Sequence, residues 1–242
     1  MLFHAIRAEL MKCRRAPVWL AFMVLPLFPA VLGTANYLGN LGVLQEQWYS
    51  LWTQHTLFAS FFFLPALLGV FCAWQWRLEY SDHNFNSFLT APLPIWVLYL
   101  AKLIPSLGVA CLSQMVTGIL FVVSGKLIGL TDPIPPQLTE WILCGVLGSM
   151  AVCAVQLFIS LLLRSFAIPV AIGLLGGIAG MMLTTQGYGL YFPYSLLSLG
   201  MRANNPMMEI QEPVLVLLSL VYILLFALLT IWLLQKRDVV GE

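Results

Sequence analysis

Charged side chains are scarce in this chain. Asp, Glu, Lys and Arg make up 9% of its 242 residues, whereas 61% of the residues are apolar. Soluble domains carry roughly 25% charged residues, so this chain has too few polar groups to cover a water-facing globule of its size. The net charge of +1 excludes a nucleic-acid binder built on a basic surface. These shortages indicate a polytopic membrane protein without a separate soluble domain.

Several catalytic signatures are absent as well. The sequence has no Gly-x-x-x-x-Gly-Lys-Ser/Thr loop, so nucleotide hydrolysis is expected in another chain. The histidines His4, His55 and His83 are far apart, and no His-Glu-x-x-His or Cys-x-x-Cys pair gives metal-ligand spacing. We therefore predict no catalytic residue, no metal site and no directly bound cofactor. The five cysteines are expected to pack as small apolar residues.

The chain does contain six apolar windows of the length that crosses a bilayer, which is about 20 residues. They lie at about 18–37, 57–76, 97–124, 141–163, 166–184 and 214–234. Only Arg164 and Ser165 separate the fourth and fifth windows, so a tight helical hairpin is expected there. A cleaved signal peptide is the alternative for the first window, but its length and its two prolines favour a first span. The windows predict an all-α polytopic membrane protein with one transmembrane domain, residues 1–242.

The basic residues predict the orientation of the spans, because they are retained on the cytoplasmic side of short loops. If the six spans alternate, nine of the 11 basic residues share one side with both termini: Arg7, Lys12, Arg14, Arg15, Arg77, Lys102, Arg164, Lys236 and Arg237. Both termini are therefore predicted to be cytoplasmic. Lys102 is placed near the inner end of the third span, where we expect its side chain to snorkel to the surface.

Residues 1–16 are predicted to form a short interfacial helix on the inner leaflet. On a helix, one face would carry the apolar residues Leu2, Phe3, Ile6, Leu10 and Cys13. The alternative is an ordinary basic flank with accidental periodicity.

No ionisable group is recognised near the middle of a span, which removes the usual coupling residues of a secondary transporter. The polar residues at that depth are neutral, Gln114 and Gln156 among them. They are interpreted either as hydrogen-bonding groups between helices or as the lining of a path for an amphipathic substrate.

The loop at 77–96 is the densest polar stretch between the second and third spans. Its middle is predicted to form a short helix that Pro92 and Pro94 end before the third span. Such a helix would present Phe85, Phe88 and Leu89 to a groove on a soluble partner, although a capped connector without a partner is the alternative.

The loop resembles the inner loop of ABC type-2 exporter permeases. The matching features are Glu79 after the second span, Leu89-Thr90-Ala91-Pro92, and Lys102 at the start of the third span. The six spans, the helix before the first span and the missing ATPase motif fit the same family. The small size and the Trp-rich first half look most like the permeases of lantibiotic-immunity and bacitracin-resistance transporters. At Asp82-His83-Asn84 the chain departs from relatives that have Gly within an acidic-Gly-Thr run.

The resemblance implies a transport subunit that docks a dimer of a cytosolic ABC ATPase, which would hold the ATP and Mg²⁺. It also implies a second permease, of the same or a different chain, and a location in the bacterial cytoplasmic membrane. The residues that would form the ATPase-coupling loop are Glu79, Asp82, Phe85, Phe88, Leu89, Thr90 and Pro92.

The fifth span carries two overlapping Gly-x-x-x-Gly motifs, which indicate close helix packing. Their residues are Gly173, Gly176, Gly177 and Gly180. The contact is expected within the bundle, with the seam between two permeases as the alternative.

Aromatic residues are concentrated in two segments that are predicted to lie on the outer side. These are the first outer loop, with Trp48 and Trp52, and residues 185–213, with Tyr191 and Tyr194. Interfacial anchoring is one interpretation. Contact with an amphipathic peptide at the outer leaflet is the other, and the resemblance implies a half-penetrating re-entrant hairpin at 185–213.

The leading hypothesis is a permease subunit of an ATP-driven exporter that removes a lantibiotic-type peptide from the membrane and so gives self-immunity or resistance. One alternative is an exporter permease for another lipophilic substrate or drug. A non-transporting membrane scaffold or sensor that recruits a cytosolic partner is the alternative from another class.

Overall fold

The structure is a computed structural model that describes residues 1–14, 16–81, 85, 89, 92–203, 205–208 and 210–236. The regular elements within these residues are helical. The α-helices are α1 (Leu2–Cys13), α2 (Val18–Val24), α3 (Leu27–Gly39), α4 (Gln47–Phe58), α5 (Leu64–Tyr80), α6 (Ile95–Leu127), α7 (Leu138–Leu163), α8 (Ala167–Thr185), α9 (Pro193–Gly200) and α10 (Glu212–Lys236).

Six helical stretches in the described part of the chain are long and apolar enough to cross a membrane. They are Val18–Gly39, Gln47–Tyr80, Ile95–Leu127, Leu138–Leu163, Ala167–Thr185 and Glu212–Lys236. They confirm the predicted all-α fold with six spans. The first span is interrupted at Leu25 and Pro26, between the end of α2 and the start of α3, because Pro26 has no N–H to continue the helical hydrogen bonds, although both residues keep helical φ and ψ.

The second span begins at Gln47, whereas its apolar window begins at Leu57. A π-helical turn at Ala59–Phe63 joins α4 to α5. Pro65 explains this turn, because proline has no N–H to donate to the carbonyl of Phe61 and its ring would crowd that carbonyl. The carbonyl oxygen of Phe61 therefore receives no hydrogen bond from position 65.

The turn between α7 and α8 confirms the predicted hairpin. Helix α7 ends at Leu163, and Arg164 adopts left-handed backbone with φ 42°. Helix α8 begins at Ala167. The guanidinium of Arg164 lies 5.7 Å from the ring centre of Tyr80, so this turn and the last turn of α5 share one end of the bundle. We call it the α1 end, since α1 packs there.

The short helix α9 lies inside the bundle, toward the end opposite the α1 end. Its residues from Tyr194 to Gly200 are buried, and it packs mainly on α7 and α8. Gln156 donates to the Tyr194 hydroxyl at 3.0 Å, while Arg202 contacts Glu140 in the first turn of α7. At 1.5 Å per residue, Glu140 and Gln156 are roughly 24 Å apart along α7. The segment after α8 thus runs along α7 from near Gln156 back to Glu140, and the re-entrant hairpin expected at 185–213 stays a prediction.

Candidate functional site

Four charged side chains form a closed ring at the α1 end. The Nζ of Lys102 on α6 lies 2.9 Å from Glu9 Oε2 on α1 and 2.8 Å from Glu79 Oε1 on α5. The Nζ of Lys12 on α1 closes the ring, at 2.7 Å from Glu9 Oε1 and 2.6 Å from Glu79 Oε1. Two cations and two anions thus join three helices. We call this group the ion ring.

The ion ring is buried, and Lys102 is its most deeply buried member. The Lys102 side chain is 0% exposed, and those of Glu79 and Glu9 are 4% and 8% exposed. Lys102 also donates to the carbonyl of Gln75 at 3.2 Å and lies 5.0 Å from the ring centre of Trp76. Burying a charge is costly unless it is paired and hydrogen-bonded. Loss of one member would therefore leave an uncompensated charge inside the protein.

The expectation that Lys102 snorkels to the surface is wrong. Its Nζ points inward because the carboxylates of Glu9 and Glu79 lie there and accept its hydrogen bonds. Sequence reasoning missed Glu9 altogether and used Lys12 only as one of the basic residues that predict the cytoplasmic side. The available signal was the spacing of Leu2, Glu9 and Cys13, which places the carboxylate on the same side of α1 as two apolar residues.

Lys12 is the part of the ion ring closest to water, with its side chain 38% exposed. Burial alone would lower the pKa of Lys12, but the carboxylates of Glu9 and Glu79 outweigh burial and raise this pKa above its ordinary value. A raised pKa means that Lys12 contributes to α1 docking at all pH values below its ordinary pKa. This contribution is lost only as the pH rises through the raised pKa.

The ion ring lies at the root of the predicted coupling loop. Helix α5 continues to Tyr80, so Glu79, expected within the loop at 77–96, belongs to the last turn of α5 instead. The hydroxyl of Tyr80 donates to the carbonyl of Leu161 on α7 at 2.6 Å, and its ring stacks on Phe85 at 5.1 Å between centres. The root of the loop is therefore fixed to α1, α6 and α7 by polar contacts.

The residues predicted for the loop fall into three groups. Asp82, Phe88 and Thr90 lie outside the described residues. Phe85 and Leu89 have helical backbone and are partly buried, and Pro92 is exposed. Glu79 faces the interior, so its carboxylate contacts Lys12 and Lys102 instead of being presented at the surface.

The four glycines of α8 all approach other segments of the same chain. A Cβ on Gly177 would meet the carbonyl oxygen of Phe61, and one on Gly173 would lie 2.7 Å from the carbonyl oxygen of Pro65. A Cβ on Gly176 would lie 2.8 Å from the ring of Tyr194, and one on Gly180 would lie 3.2 Å from the backbone nitrogen of Ser195. Gly173 and Gly177 thus pack against the second span, and Gly176 and Gly180 pack against α9.

The two glutamines proposed for a pathway are fully buried between helices. Gln114 on α6 donates to Ser149 on α7 at 3.0 Å and to the Met201 sulfur at 3.4 Å. Gln156 donates to the Tyr194 hydroxyl. These contacts place both glutamines, and Tyr194 with them, in the hydrogen bonding that holds α9 against the spans.

Trp48 and Trp52 are buried in α4, 2% and 0% exposed, so their expected place in an outer loop is wrong. Their indole nitrogens donate to the carbonyls of Asp132 at 2.7 Å and Met201 at 2.8 Å. Helix α4 is the polar beginning of the second span, which the apolar window missed. Among the aromatic residues singled out for the outer side, Tyr191 is the exposed one, at 71%.

His55 also belongs to α4 and thus to the second span, although it lies outside the apolar window at 57–76. Its Nε2 lies 2.9 Å from the Thr34 hydroxyl, and its backbone packs on Gly33, where a Cβ would lie 2.7 Å from the His55 nitrogen. His55 is thus part of the contact between the first and second spans.

A groove of about 370 Å³ runs between α6 and α7 on the outer surface of the bundle. Only apolar residues and Gly118 line it: Met115, Gly118, Ile119, Val122, Val123, Leu138 and Ile142. A groove of this composition on a membrane-spanning surface suits an acyl chain or an apolar side chain that approaches from the bilayer.

The described residues thus form six apolar spans, with the buried ion ring at one end of the bundle and the buried helix α9 at the other. A family model described as ABC-2 family transporter protein matches residues 5–180, which is well over half of the chain. The chain therefore belongs to the ABC-2 transporter family. No curated protein and no solved structure matches it.

Membership of this family makes the chain the membrane subunit of an ABC transporter and a multi-pass protein of the cytoplasmic membrane. Subunits of this kind are generally non-catalytic, and the family implies an ABC ATPase partner.

Proposed function

We propose that this chain is the permease of an ATP-driven exporter that removes a lantibiotic-type antimicrobial peptide from the membrane and thereby gives self-immunity or resistance. The partner is a cytosolic ABC ATPase dimer that binds ATP and Mg²⁺ and docks on the segment after Tyr80. A second permease, a copy of this chain or a related one, completes the transporter.

The observation that carries the coupling part of this proposal is the ion ring. A partner that pulls on the segment after Tyr80 also pulls on Glu79, and Glu79 holds Lys102 on α6 at 2.8 Å and Lys12 on α1 at 2.6 Å. Buried, mutually neutralised charges resist separation, because each would be left unpaired. The ion ring therefore transmits force from the docking segment to α1 and to the third span.

An amphipathic peptide in the bilayer suits the polarity of the spans. The polar groups at the middle of the bundle, Gln114 and Gln156, are neutral, fully buried and engaged with other helices. The apolar groove between α6 and α7 opens toward lipid instead. A substrate already inserted in the membrane reaches such a surface laterally and needs no charged pocket.

The first test is purification of the chain from its native membrane in mild detergent, with mass spectrometry and an ATPase assay. We expect a stoichiometric P-loop ATPase to co-purify. Recovery of the chain without an ATPase would contradict the transport role and favour the scaffold.

The second test addresses the substrate. Cells that produce the permease and its ATPase should tolerate a higher concentration of a lantibiotic than cells with a Walker-A variant of that ATPase. Equal sensitivity to the lantibiotic, combined with protection against an unrelated lipophilic drug, would replace the peptide by another substrate.

A further inference from the structure

Helix α1 turns two different faces to its surroundings, and the division is not the one that its apolar periodicity predicts. Glu9 and Cys13 are buried against the spans, and α1 packs mainly on α6. Phe3 and Leu10, both expected on the apolar face with Cys13, are 72% and 50% exposed, whereas Cys13 is 2% exposed. The carboxylate of Glu9 faces inward because it pairs there with the ammonium of Lys102.

The exposed side of α1 carries one continuous stripe. Phe3, Arg7, Leu10 and Arg14 are exposed, and they follow one another at intervals of three or four residues. Residues at this spacing lie above one another on a helix. We call this stripe the α1 outer face. Aromatic or aliphatic groups thus alternate with guanidinium groups along it.

The charge of the α1 outer face is positive throughout. Glu9 is the one acidic residue of α1, and Lys12 and Lys102 neutralise it inside the bundle. Arg7 and Arg14 therefore project their charges without a carboxylate from α1 beside them. A basic helix with apolar residues at the same surface binds in the interfacial layer of a bilayer with acidic lipids, at about 1 kcal/mol for each basic residue.

The position of α1 beside the bilayer is fixed by the first span. The indole nitrogen of Trp19 in α2 donates to the carbonyl of Cys13 at 2.6 Å. Helix α2 begins at Val18, so α1 ends a few residues before the chain enters the membrane. The α1 outer face consequently lies at the level of the lipid headgroups.

We propose that the α1 outer face binds acidic phospholipid headgroups and that the ion ring passes this attachment to the root of the docking segment. The second half of this statement rests on the proposed function. Acidic lipid then sets how firmly Glu79 is held, since α1 supplies Glu9 and Lys12 to the same ring. The transporter would hydrolyse ATP productively only in a membrane that contains such lipids.

Lipid contact is tested on the full-length permease alone, in vesicles of phosphatidylcholine and in vesicles with equal parts of phosphatidylglycerol. A fluorophore is attached at Leu10→Cys after the native cysteines are replaced by alanine. We expect quenching by headgroup spin-labelled lipid in the acidic vesicles, and quenching by aqueous iodide in the neutral ones. The double variant with Arg7→Gln and Arg14→Gln should weaken the binding of the α1 outer face to acidic lipid about 30-fold, which is about 1 kcal/mol for each arginine.

The matched control is Lys126→Gln, which removes an exposed basic residue at the opposite end of the bundle. This variant should keep the quenching by acidic lipid. Equal iodide access in both kinds of vesicle, or an unchanged signal in the double arginine variant, would overturn the proposal. Protection of the label only on addition of the ATPase would overturn it as well, because the face would then bind a protein.

The link to the ion ring is tested on the complete transporter with Glu9→Gln, which leaves Arg7 and Arg14 in place. We expect the label at position 10 to remain quenched by acidic lipid while the stimulation of ATPase activity by phosphatidylglycerol is lost. Stimulation equal to that of the unaltered complex would overturn the link. If no ATPase co-purifies, the proposed function fails, whereas the lipid measurement still decides the contact.

Discussion

The α-carbon of Gly177 on α8 lies against the carbonyl oxygen of Phe61, in the π-helical turn of the second span. Pro65 explains this contact, because it leaves the Phe61 carbonyl without its helical partner. A Cβ at position 177 would also lie 2.9 Å from the Pro65 ring. Gly177 and Pro65, more than 100 residues apart, thus belong to the same helix–helix contact.

Gly177→Leu should destabilise the protein by about 1 to 3 kcal/mol, because the neighbouring atoms are backbone and a proline ring that cannot rotate away. The measurement is the thermal unfolding midpoint in detergent. The matched control is Gly108→Ala in α6, where nothing lies within 4 Å of an added Cβ. Full stability and activity of Gly177→Leu would show that the contact is incidental.

Lys102→Met should cost about 3 to 5 kcal/mol, because it leaves Glu9 and Glu79 buried with only Lys12 between them. Adding Glu9→Gln restores neutrality, since Lys12 and Glu79 remain as a pair. The double variant is therefore expected to recover part of the loss, with a coupling energy above about 1 kcal/mol. Additive effects of the two changes would contradict the closed ring.

Cys13 should report the docking of α1 through its reactivity. Burial, reinforced by the carboxylate of Glu9, raises the pKa of the Cys13 thiol to about 11. Only the thiolate reacts, so at pH 8 its fraction is about 100-fold below that of a thiol with the ordinary pKa. Maleimide labelling of a variant that retains only Cys13 is expected to be correspondingly slow.

In that single-cysteine background, Glu9→Gln should accelerate the labelling, because it weakens the ion ring and exposes Cys13. Glu46→Gln is the matched control, since Glu46 is exposed and far from α1. An unchanged rate in Glu9→Gln would mean that the ring does not hold α1 in place.

Tyr194→Phe should destabilise the protein by about 1 to 3 kcal/mol, because it leaves the Gln156 amide without the hydroxyl that accepts its hydrogen bond. Tyr191→Phe removes the same group from a side chain that is 71% exposed, and should change stability by less than about 0.5 kcal/mol. Thermal unfolding of the two variants side by side provides the comparison. Equal effects would contradict the anchoring of α9 by Tyr194.

Much of the fold follows from hydropathy alone. The six windows and the turn at Arg164 are predicted correctly, because a lipid-facing helix must be apolar along a length set by the bilayer. The start of the second span is predicted wrongly, because α4 is too polar for an apolar window and buries its polar and aromatic side chains against other parts of the protein. Trp48 and Trp52 donate to backbone carbonyls there, so the indole groups that suggest a membrane interface are satisfied inside the bundle.

The ion ring could not be read from one sequence, because its members are distant along the chain. Lys102 lies 93 residues from Glu9 and 23 from Glu79, and only the packing of α1, α5 and α6 brings the three together. A lysine near a span end is compatible with snorkelling or with a buried partner. The choice depends on a carboxylate elsewhere in the fold.

The separation of Glu9 and Lys102 has a consequence for biogenesis. The ribosome releases Glu9 and Lys12 long before Lys102, the second cation that pairs with Glu9 in the interior. Until the third span is inserted, an early-docked α1 would bury the carboxylates of Glu9 and Glu79 with the ammonium of Lys12 as the one cation of the ion ring between them. We therefore expect the N-terminal helix to dock stably only after the third span supplies Lys102, so that a closed ion ring marks the assembly of the first half of the bundle.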